Sequence, residues 1–148
     1  MFAVDMKGYA VNTSSNRGIN KERTVANYYG IIKDKHDSKD YKTASDIEID
    51  DMRISVKSPA ATLYSGNMTK GCKTFEGIWR RYRKNVHSNV FVFVTNDFIA
   101  YYMNIDEFSK FIHKFGYLHR ESTSKGGGLK ICIRDNHILE RWLAERVA

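Results

Sequence analysis

The chain has 148 residues, with 24 lysines and arginines against 17 aspartates and glutamates and a formal net charge of +7. This length suits one domain, residues 1–148, with a single hydrophobic core. No apolar run reaches the roughly 20 residues of a membrane span, and no signal peptide is recognisable, so we expect a soluble, cytoplasmic protein without a membrane partner. The two cysteines lack the spacing of a zinc site and are expected to be free thiols of a reducing compartment.

The first predicted element is a short helix within RGINKERTVANYYG, residues 17–30. Asn20 is a candidate N-cap and Gly30 a candidate stop, which would put Glu22 in the first turn. The helix dipole favours a carboxylate there, so Glu22 has a structural interpretation beside any functional one.

Two alternating runs then predict a β-hairpin across residues 44–59. A two-residue turn at Asp50-Asp51 would pair the runs and collect their apolar residues on one face, which should join the core. These apolar residues are Ile47, Ile49, Met52, Ile54 and Val56.

The opposite face of the hairpin is polar. The turn sets Asp46 opposite Ser55. Lys57 then lies diagonally to Asp46, within roughly 8 Å of it. A carboxylate and a lysine in these positions can act on the same metal-bound phosphate. This prediction depends on register, because a slip of one residue would send Asp46 to the other face.

Asp46, followed after eight residues by Ser55-Val56-Lys57-Ser58, resembles the core of the PD-(D/E)xK nucleases, the superfamily of many restriction endonucleases and archaeal-type Holliday junction resolvases. The predicted helix of residues 17–30 is similar to the basic-Gly-then-Glu-Arg helix that opens those resolvases. The resemblance covers roughly residues 17–95. It implies an α/β fold with a restriction-endonuclease-like core, in which helices flank a mixed β-sheet.

Two positions depart from the family pattern. Ser45 stands where the pattern often has proline, and Ser55 replaces its second acid. Some restriction enzymes of the superfamily have Ser-Val-Lys here and carry the acid on the following helix, where Glu76 is the candidate. In the resolvases a glutamate of the opening helix completes the metal site, and Glu22 matches that position.

The resemblance implies a catalytic site that binds one or two Mg²⁺ ions, for which Mn²⁺ would substitute. Asp46 and the Val56 carbonyl would hold the metal. Either Glu22 or Glu76 would supply the oxygen that Ser55 cannot. Lys57 would orient the attacking water and neutralise developing charge.

Residues 74–85 predict a second helix, whose apolar stripe of Phe75, Ile78, Trp79 and Tyr82 is expected to lie in the core. Glu76 lies on another face of this helix. An i,i+4 ion pair with a following arginine is therefore the alternative to a metal-binding role for Glu76.

The positive charge is concentrated in two segments. Residues 70–90 and 110–134 each carry six lysines and arginines against one acid, whereas residues 1–50 are balanced. Basic zones around an acidic hairpin suit a polyanionic partner, although a solvated basic surface is the alternative for each residue. The candidate nucleic-acid contacts are Ser58, Lys70, Lys73, Arg80, Arg81, Arg83, Lys84, His87 and Lys125.

His87 is also the histidine to consider for a His-metal mechanism, but no pair of histidines has the local spacing that such a site requires. Beyond it the pattern is structural. Strands are predicted at residues 90–94 and 98–103, and a capping box begins a helix at residues 104–116. A strand at residues 129–133 and a last helix capped by Asp135 complete the predicted elements.

The sequence and the resemblance together predict a Mg²⁺-dependent endonuclease that hydrolyses DNA phosphodiesters and is either restriction-type or structure-specific. A homodimer would place two active sites on two strands. The alternative is a non-catalytic nucleic-acid-binding protein that retains a nuclease-like fold and has lost its chemistry through Ser55. A nuclease that acts on RNA is also compatible with the charge.

Overall fold

The computed structural model describes residues 1–31, 45–63, 69–120 and 129–148. Within these ranges the chain forms eight β-strands and four α-helices. The strands are β1 (Phe2–Asp5), β2 (Ile47–Ile49), β3 (Met52–Lys57), β4 (Thr62–Leu63), β5 (Val90–Val94), β6 (Ile99–Met103), β7 (Gly116–Arg120) and β8 (Leu129–Ile133). The helices are α1 (Arg17–Tyr28), α2 (Phe75–Asn85), α3 (Ile105–Phe115) and α4 (His137–Val147).

The strands form two sheets. The larger sheet has five strands in the order β1-β6-β5-β3-β2, and the smaller has three in the order β4-β8-β7. In the larger sheet β3 and β5 are parallel and α2 connects them as a crossover, while the other neighbouring strands are antiparallel. The predicted mixed α/β fold is therefore confirmed at this level, and the second sheet is an addition that the sequence did not predict.

The hairpin has the predicted register. Ile47 lies opposite Ile54, and Ile49 lies opposite Met52. Asp50, the first turn residue, has a φ of 51°, the left-handed conformation that Asp tolerates better than most residues. Because the register is as predicted, the alternation of faces along β3 is also as predicted.

Hydrophobic side chains cover both faces of the larger sheet. On one face, Val25 and Ala26 of α1 pack with Ile54 and Val92, and all four are fully buried. On the other face, α2, α3, α4 and the smaller sheet enclose a larger, aromatic cluster. Burial on both sides explains why β5 is an uninterrupted run of Val and Phe rather than an alternating one.

Two predicted helix starts are confirmed, and both have side-chain caps, of which the second was itself predicted. The Thr74 side chain accepts a hydrogen bond from the Gly77 N–H at the start of α2. At the start of α3, Asn104 and Glu107 form both hydrogen bonds of a capping box. The buried stripe of α2 is also confirmed as core, since Ile78, Trp79 and Tyr82 are buried and Phe75 packs against them.

Two predicted caps were wrong. Asn16, not Asn20, caps α1 by accepting a hydrogen bond from the Ile19 N–H, so Glu22 lies in the second turn. Asn20 is buried instead, where its side chain accepts from the Ser14 N–H and donates to the Ser14 carbonyl. Asn136, not Asp135, caps α4. In each case two polar residues within one helical turn, Asn16 and Asn20 or Asp135 and Asn136, could cap the helix, and the sequence does not determine which one the backbone uses.

The three strands β1, β4 and β7 were not predicted. β1 and β7 lie at sheet edges and expose most of their side chains, so neither carries an apolar alternation. β4 has two residues. β7 also follows α3 directly at Gly116, with no polar connection to separate them. Among the helices that the structure describes, none is long and apolar enough to cross a membrane.

Gly116 at the α3–β7 junction tests this packing. A Cβ at Gly116 would lie 2.5 Å from the Ile112 carbonyl oxygen and 3.1 Å from a methyl carbon of Ile131. We expect Gly116→Ala to lower the free energy of unfolding by about 1–3 kcal/mol, because the helix end cannot move without repacking the core. Chemical denaturation measures this change. Gly8→Ala is the control, since a Cβ at Gly8 meets nothing within 4 Å; equal stability of the two variants would contradict the junction geometry.

Candidate active site

The candidate site lies where β3 ends and α1 begins. The Cβ position of Gly18, in the first turn of α1, is 4.0 Å from the Ser58 hydroxyl oxygen. Ser58 follows the last residue of β3 and is buried. The absence of a side chain at Gly18 therefore lets the helix start close to the strand end.

Glu22 projects from α1 toward this junction. It lies three and four residues before Val25 and Ala26, which face the sheet, so it shares their side of the helix. Its side chain is buried, with 6% of its surface exposed. A buried carboxylate is costly unless charged or hydrogen-bonding groups compensate it, so its surroundings are informative.

Asp46 is fixed at the other side of the junction. Its Oδ2 accepts a hydrogen bond of 2.7 Å from the Val56 N–H, just beyond the Ile47–Ile54 pair of the hairpin. Because Ile47 faces α1, alternation sends Asp46 to the opposite face. This contact holds the Asp46 carboxylate beside β3, near Ser55 and Lys57 in the chain.

Ser55 and Lys57 share that side of the sheet. They are in register with Phe91 and Phe93 of β5, which belong to the cluster on the face opposite α1. Ser55 is buried, and Lys57 is half-buried at the end of the strand. The position where the resemblance expects a second acid is therefore occupied by a buried hydroxyl.

Electrostatics link Lys57 to two acids. Burial lowers the pKa of the Lys57 ammonium, while the carboxylates of Asp46 and, to a smaller extent, Glu22 raise it. The two carboxylates thus lie close enough to Lys57 to stabilise its charge. These interactions are compatible with the predicted proximity of Asp46 and Lys57, and Glu22 is one of the two acids that were candidates to join them.

Glu76 lies elsewhere on the molecule. Its Oε1 is 2.6 Å from the His113 Nε2, which ties α2 to α3. A second contact between these helices, 2.8 Å long, joins Arg83 to Asp106. Glu76 is not among the groups that act on the pKa of Lys57. The structure therefore brings Glu22, and not Glu76, to the lysine.

The basic residues in α2 and in the segment just before it are of two kinds. Arg81 donates to the Lys70 carbonyl at 2.5 Å, so it fixes the segment before the helix, and Arg83 pairs with α3. The others are exposed to solvent, namely Lys70, Lys73, Arg80 and Lys84.

His87 lies at the far end of the hairpin from Lys57. Its Nε2 is 3.1 Å from the Glu48 carboxylate, and its carbonyl accepts a hydrogen bond from Arg53. This histidine thus connects the end of α2 to the turn side of β2 and β3. Lys125, another predicted nucleic-acid contact, lies outside the described residues.

One buried base was missed in the sequence. Lys21 is 5% exposed and its ammonium lies 3.9 Å from the centre of the Phe98 ring. Burial is the main cause of its lowered pKa. Lys21 is followed by Glu22 and Arg23, a run of charges typical of a solvated helix surface, whereas in the fold it contacts Phe98 of the β5–β6 turn.

The candidate site contains two carboxylates, those of Asp46 and Glu22. In residues 1–31, 45–63, 69–120 and 129–148, no three His, Cys, Asp or Glu side chains are grouped so that they could hold a metal ion. Any divalent cation here would therefore depend on two acids and on backbone or water oxygens.

Comparison with known proteins gave no match: no family model, curated protein or solved structure is similar to this chain. The resemblance to the PD-(D/E)xK nucleases thus depends on the residues at the end of β3 and on their neighbours.

The link between Lys57 and the two acids can be measured without activity. We expect Glu22→Gln and Asp46→Asn each to lower the pKa of Lys57, because each removes a negative charge that stabilises the ammonium. An NMR titration of the lysine side-chain signals gives this pKa. Glu76→Gln is the matched control and should leave it unchanged. If the pKa of Lys57 is the same in Glu22→Gln as in the parent, Glu22 of α1 does not belong to the site.

Proposed function

We propose that this protein is a metal-dependent endonuclease that hydrolyses DNA phosphodiester bonds. The observation that carries the proposal is the convergence of Asp46 and Glu22 on Lys57 at the end of β3. Paired carboxylates beside a half-buried lysine are typical of sites that act on phosphate esters, and clustered ionisable groups are costly to fold without such a role.

The order of elements supports a restriction-endonuclease-like core. Helix α1 precedes the β2–β3 hairpin, and α2 then leads to β5, which is parallel to β3. This order follows the resemblance, in which a helix acid, a hairpin and a crossover helix surround the active site. The mixed sheet with helices on both faces is compatible with that core.

The donor set is compatible with Mg²⁺. Mg²⁺ prefers hard oxygen ligands, commonly binds through one or two carboxylates and keeps several waters, so it does not need a third acid. Asp46, Glu22 and the Val56 carbonyl would hold the ion, and Mn²⁺ would substitute for it. When bound, Mg²⁺ supplies a Lewis acid that polarises phosphoryl oxygens and activates water.

Lys57 contributes charge at the reacting phosphate. Its ammonium lies in a half-buried position, where a charge interacts more strongly than it does in water. Asp46 and Glu22 oppose the effect of burial and help to keep a proton at Nζ. The charged Nζ can then donate to the attacking water or to a phosphate oxygen as negative charge develops.

A second function is favoured by one observation. Ser55 replaces an acid of the family pattern and is buried, so the site has fewer carboxylates than the pattern expects. A binding protein that keeps the fold and has lost its chemistry would show this feature. Nucleic-acid binding without cleavage by the parent protein, at any Mg²⁺ or Mn²⁺ concentration, identifies this alternative.

Cleavage of a supercoiled plasmid and of a branched junction tests the proposal, with EDTA as the metal-free control. We expect Asp46→Ala and Lys57→Ala each to reduce the cleavage rate at least about 10²-fold, a loss of about 2.7 kcal/mol of transition-state stabilisation. Binding measured in EDTA should persist, because neither residue is needed to hold the phosphate backbone.

Glu22→Gln and Glu76→Gln form the matched pair for this experiment. Glu22→Gln should impair cleavage strongly, whereas Glu76→Gln should cut nearly as fast as the parent, because Glu76 pairs with His113 on α3. Circular dichroism and denaturation establish that each variant is folded. Near-normal cleavage by folded Asp46→Ala would contradict the assignment of the site.

A homodimer is part of the proposal. One active site hydrolyses one strand at a time, so two copies related by a two-fold axis are the simplest way to cut both strands of a duplex.

A further inference from the structure

An open groove of about 560 Å³ lies on the outer side of the smaller sheet. Its walls include Tyr117 and His119 of β7, Lys130 of β8, and Arg134 just after β8. A volume of this size is within the range of small-molecule clefts and accommodates a nucleotide. The resemblance does not extend to this part of the chain.

Strand register explains why these side chains share one wall. His119 lies opposite Lys130, and Tyr117 lies opposite Cys132. Residues two apart on a strand face the same side, so all four project toward the groove. The alternate residues of β8, such as Ile131, are buried in the core on the other side.

Tyr117 and Arg134 form a preorganised pair. The Arg134 guanidinium carbon lies 4.3 Å from the centre of the Tyr117 ring. A guanidinium that stacks on an aromatic face keeps its N–H groups at its edge, where they can donate to a phosphate in a bidentate manner. The half-buried ring and the exposed arginine together provide a stacking surface and an anion contact.

One ion pair and one chain segment link the groove to the surroundings of the candidate active site. Asp135 lines the groove and lies 4.0 Å from the Arg17 guanidinium at the start of α1. Ala60, which also lines it, belongs to the segment between Ser58 and β4. Gly18, next to Arg17, is the residue that lies beside Ser58. The Asp135–Arg17 contact and the chain after β3 therefore connect the groove to the candidate site.

We propose that this groove binds a single nucleic-acid strand and leads it toward Lys57. The path of the bound strand toward Lys57 rests on the endonuclease function proposed above. Lysine, arginine and histidine beside a tyrosine combine backbone contacts with base stacking, as single-strand binding sites do. A base extends the Arg134–Tyr117 stack, and Lys130 contacts phosphate. Stacking on Tyr117 needs an exposed base face, so the strand proposed to bind there is unpaired.

Binding of a fluorescein-labelled oligodeoxythymidylate of about 12 nucleotides, a length within known site sizes, tests this proposal by fluorescence anisotropy. EDTA is present, so cleavage does not interfere. We expect Tyr117→Leu to raise the Kd about 10-fold, since stacking of a base is worth about 1–3 kcal/mol. Lys130→Gln and Arg134→Gln should each reduce the salt slope of binding by about 0.7.

Lys7→Gln with Arg141→Gln is the matched control, because both residues are exposed bases that do not line the groove and are not among the candidate nucleic-acid contacts. This double variant should bind the oligonucleotide like the parent. Parent-like binding by all three groove variants, or an equal loss in the Lys7→Gln, Arg141→Gln control, would overturn the proposal. So would equal competition by polyglutamate at the same charge concentration, which indicates an acidic protein partner instead.

The two proposals fail separately. If the parent protein binds the oligonucleotide through the groove but never cleaves DNA, the groove proposal is supported and the endonuclease proposal is contradicted. If the parent protein cleaves DNA and the groove variants bind and cut normally, the endonuclease proposal is supported and the groove proposal is contradicted.

Discussion

The register of the β2–β3 hairpin is the constraint on which the candidate site depends. Pairing of Ile47 with Ile54 places the apolar residues under α1, and alternation then sends Asp46 and Lys57 to the other side. The hydrogen bond from the Val56 N–H to Asp46 Oδ2 holds the carboxylate beside the last residues of β3. A slip of one residue would bury this acid among aliphatic side chains, so the fold and the site select the same register.

The start of α1 supplies the second part of the arrangement. Close approach of Gly18 to Ser58 lets the helix begin at the strand end, and the buried side of the helix then presents Glu22. Burial disfavours the charged form of Lys57, whereas Asp46 and Glu22 favour it. Three ionisable groups in one partly desolvated place do not stabilise a fold as well as apolar residues would. The presence of these three groups together at the edge of a well-packed sheet is the physical argument for a chemical role of the site.

Strong apolar periodicity predicted the hairpin, α2, α3 and the central strands. The two-residue turn of the hairpin set its register, and this register predicted that Asp46 and Lys57 lie near each other. The sequence could not choose between Glu22 and Glu76, since this choice depends on the packing of α1 and on the His113 contact of Glu76. The groove could not be predicted from the sequence for a similar reason. Its strands β4 and β7 are exposed edges without apolar alternation, and Tyr117 and Arg134 meet only when β7 pairs with β8.

Paramagnetic relaxation by Mn²⁺ tests the central claim most directly, because it locates a bound metal without requiring activity. In a protein with assigned backbone amides, substoichiometric Mn²⁺ should broaden the signals of Asp46, Val56 and Lys57 first, together with that of Glu22 across the junction. The amides around Glu76 and His113 should be affected only at higher concentration. Broadening centred on Glu76, or spread evenly over the exposed acids, would contradict a metal site at the end of β3.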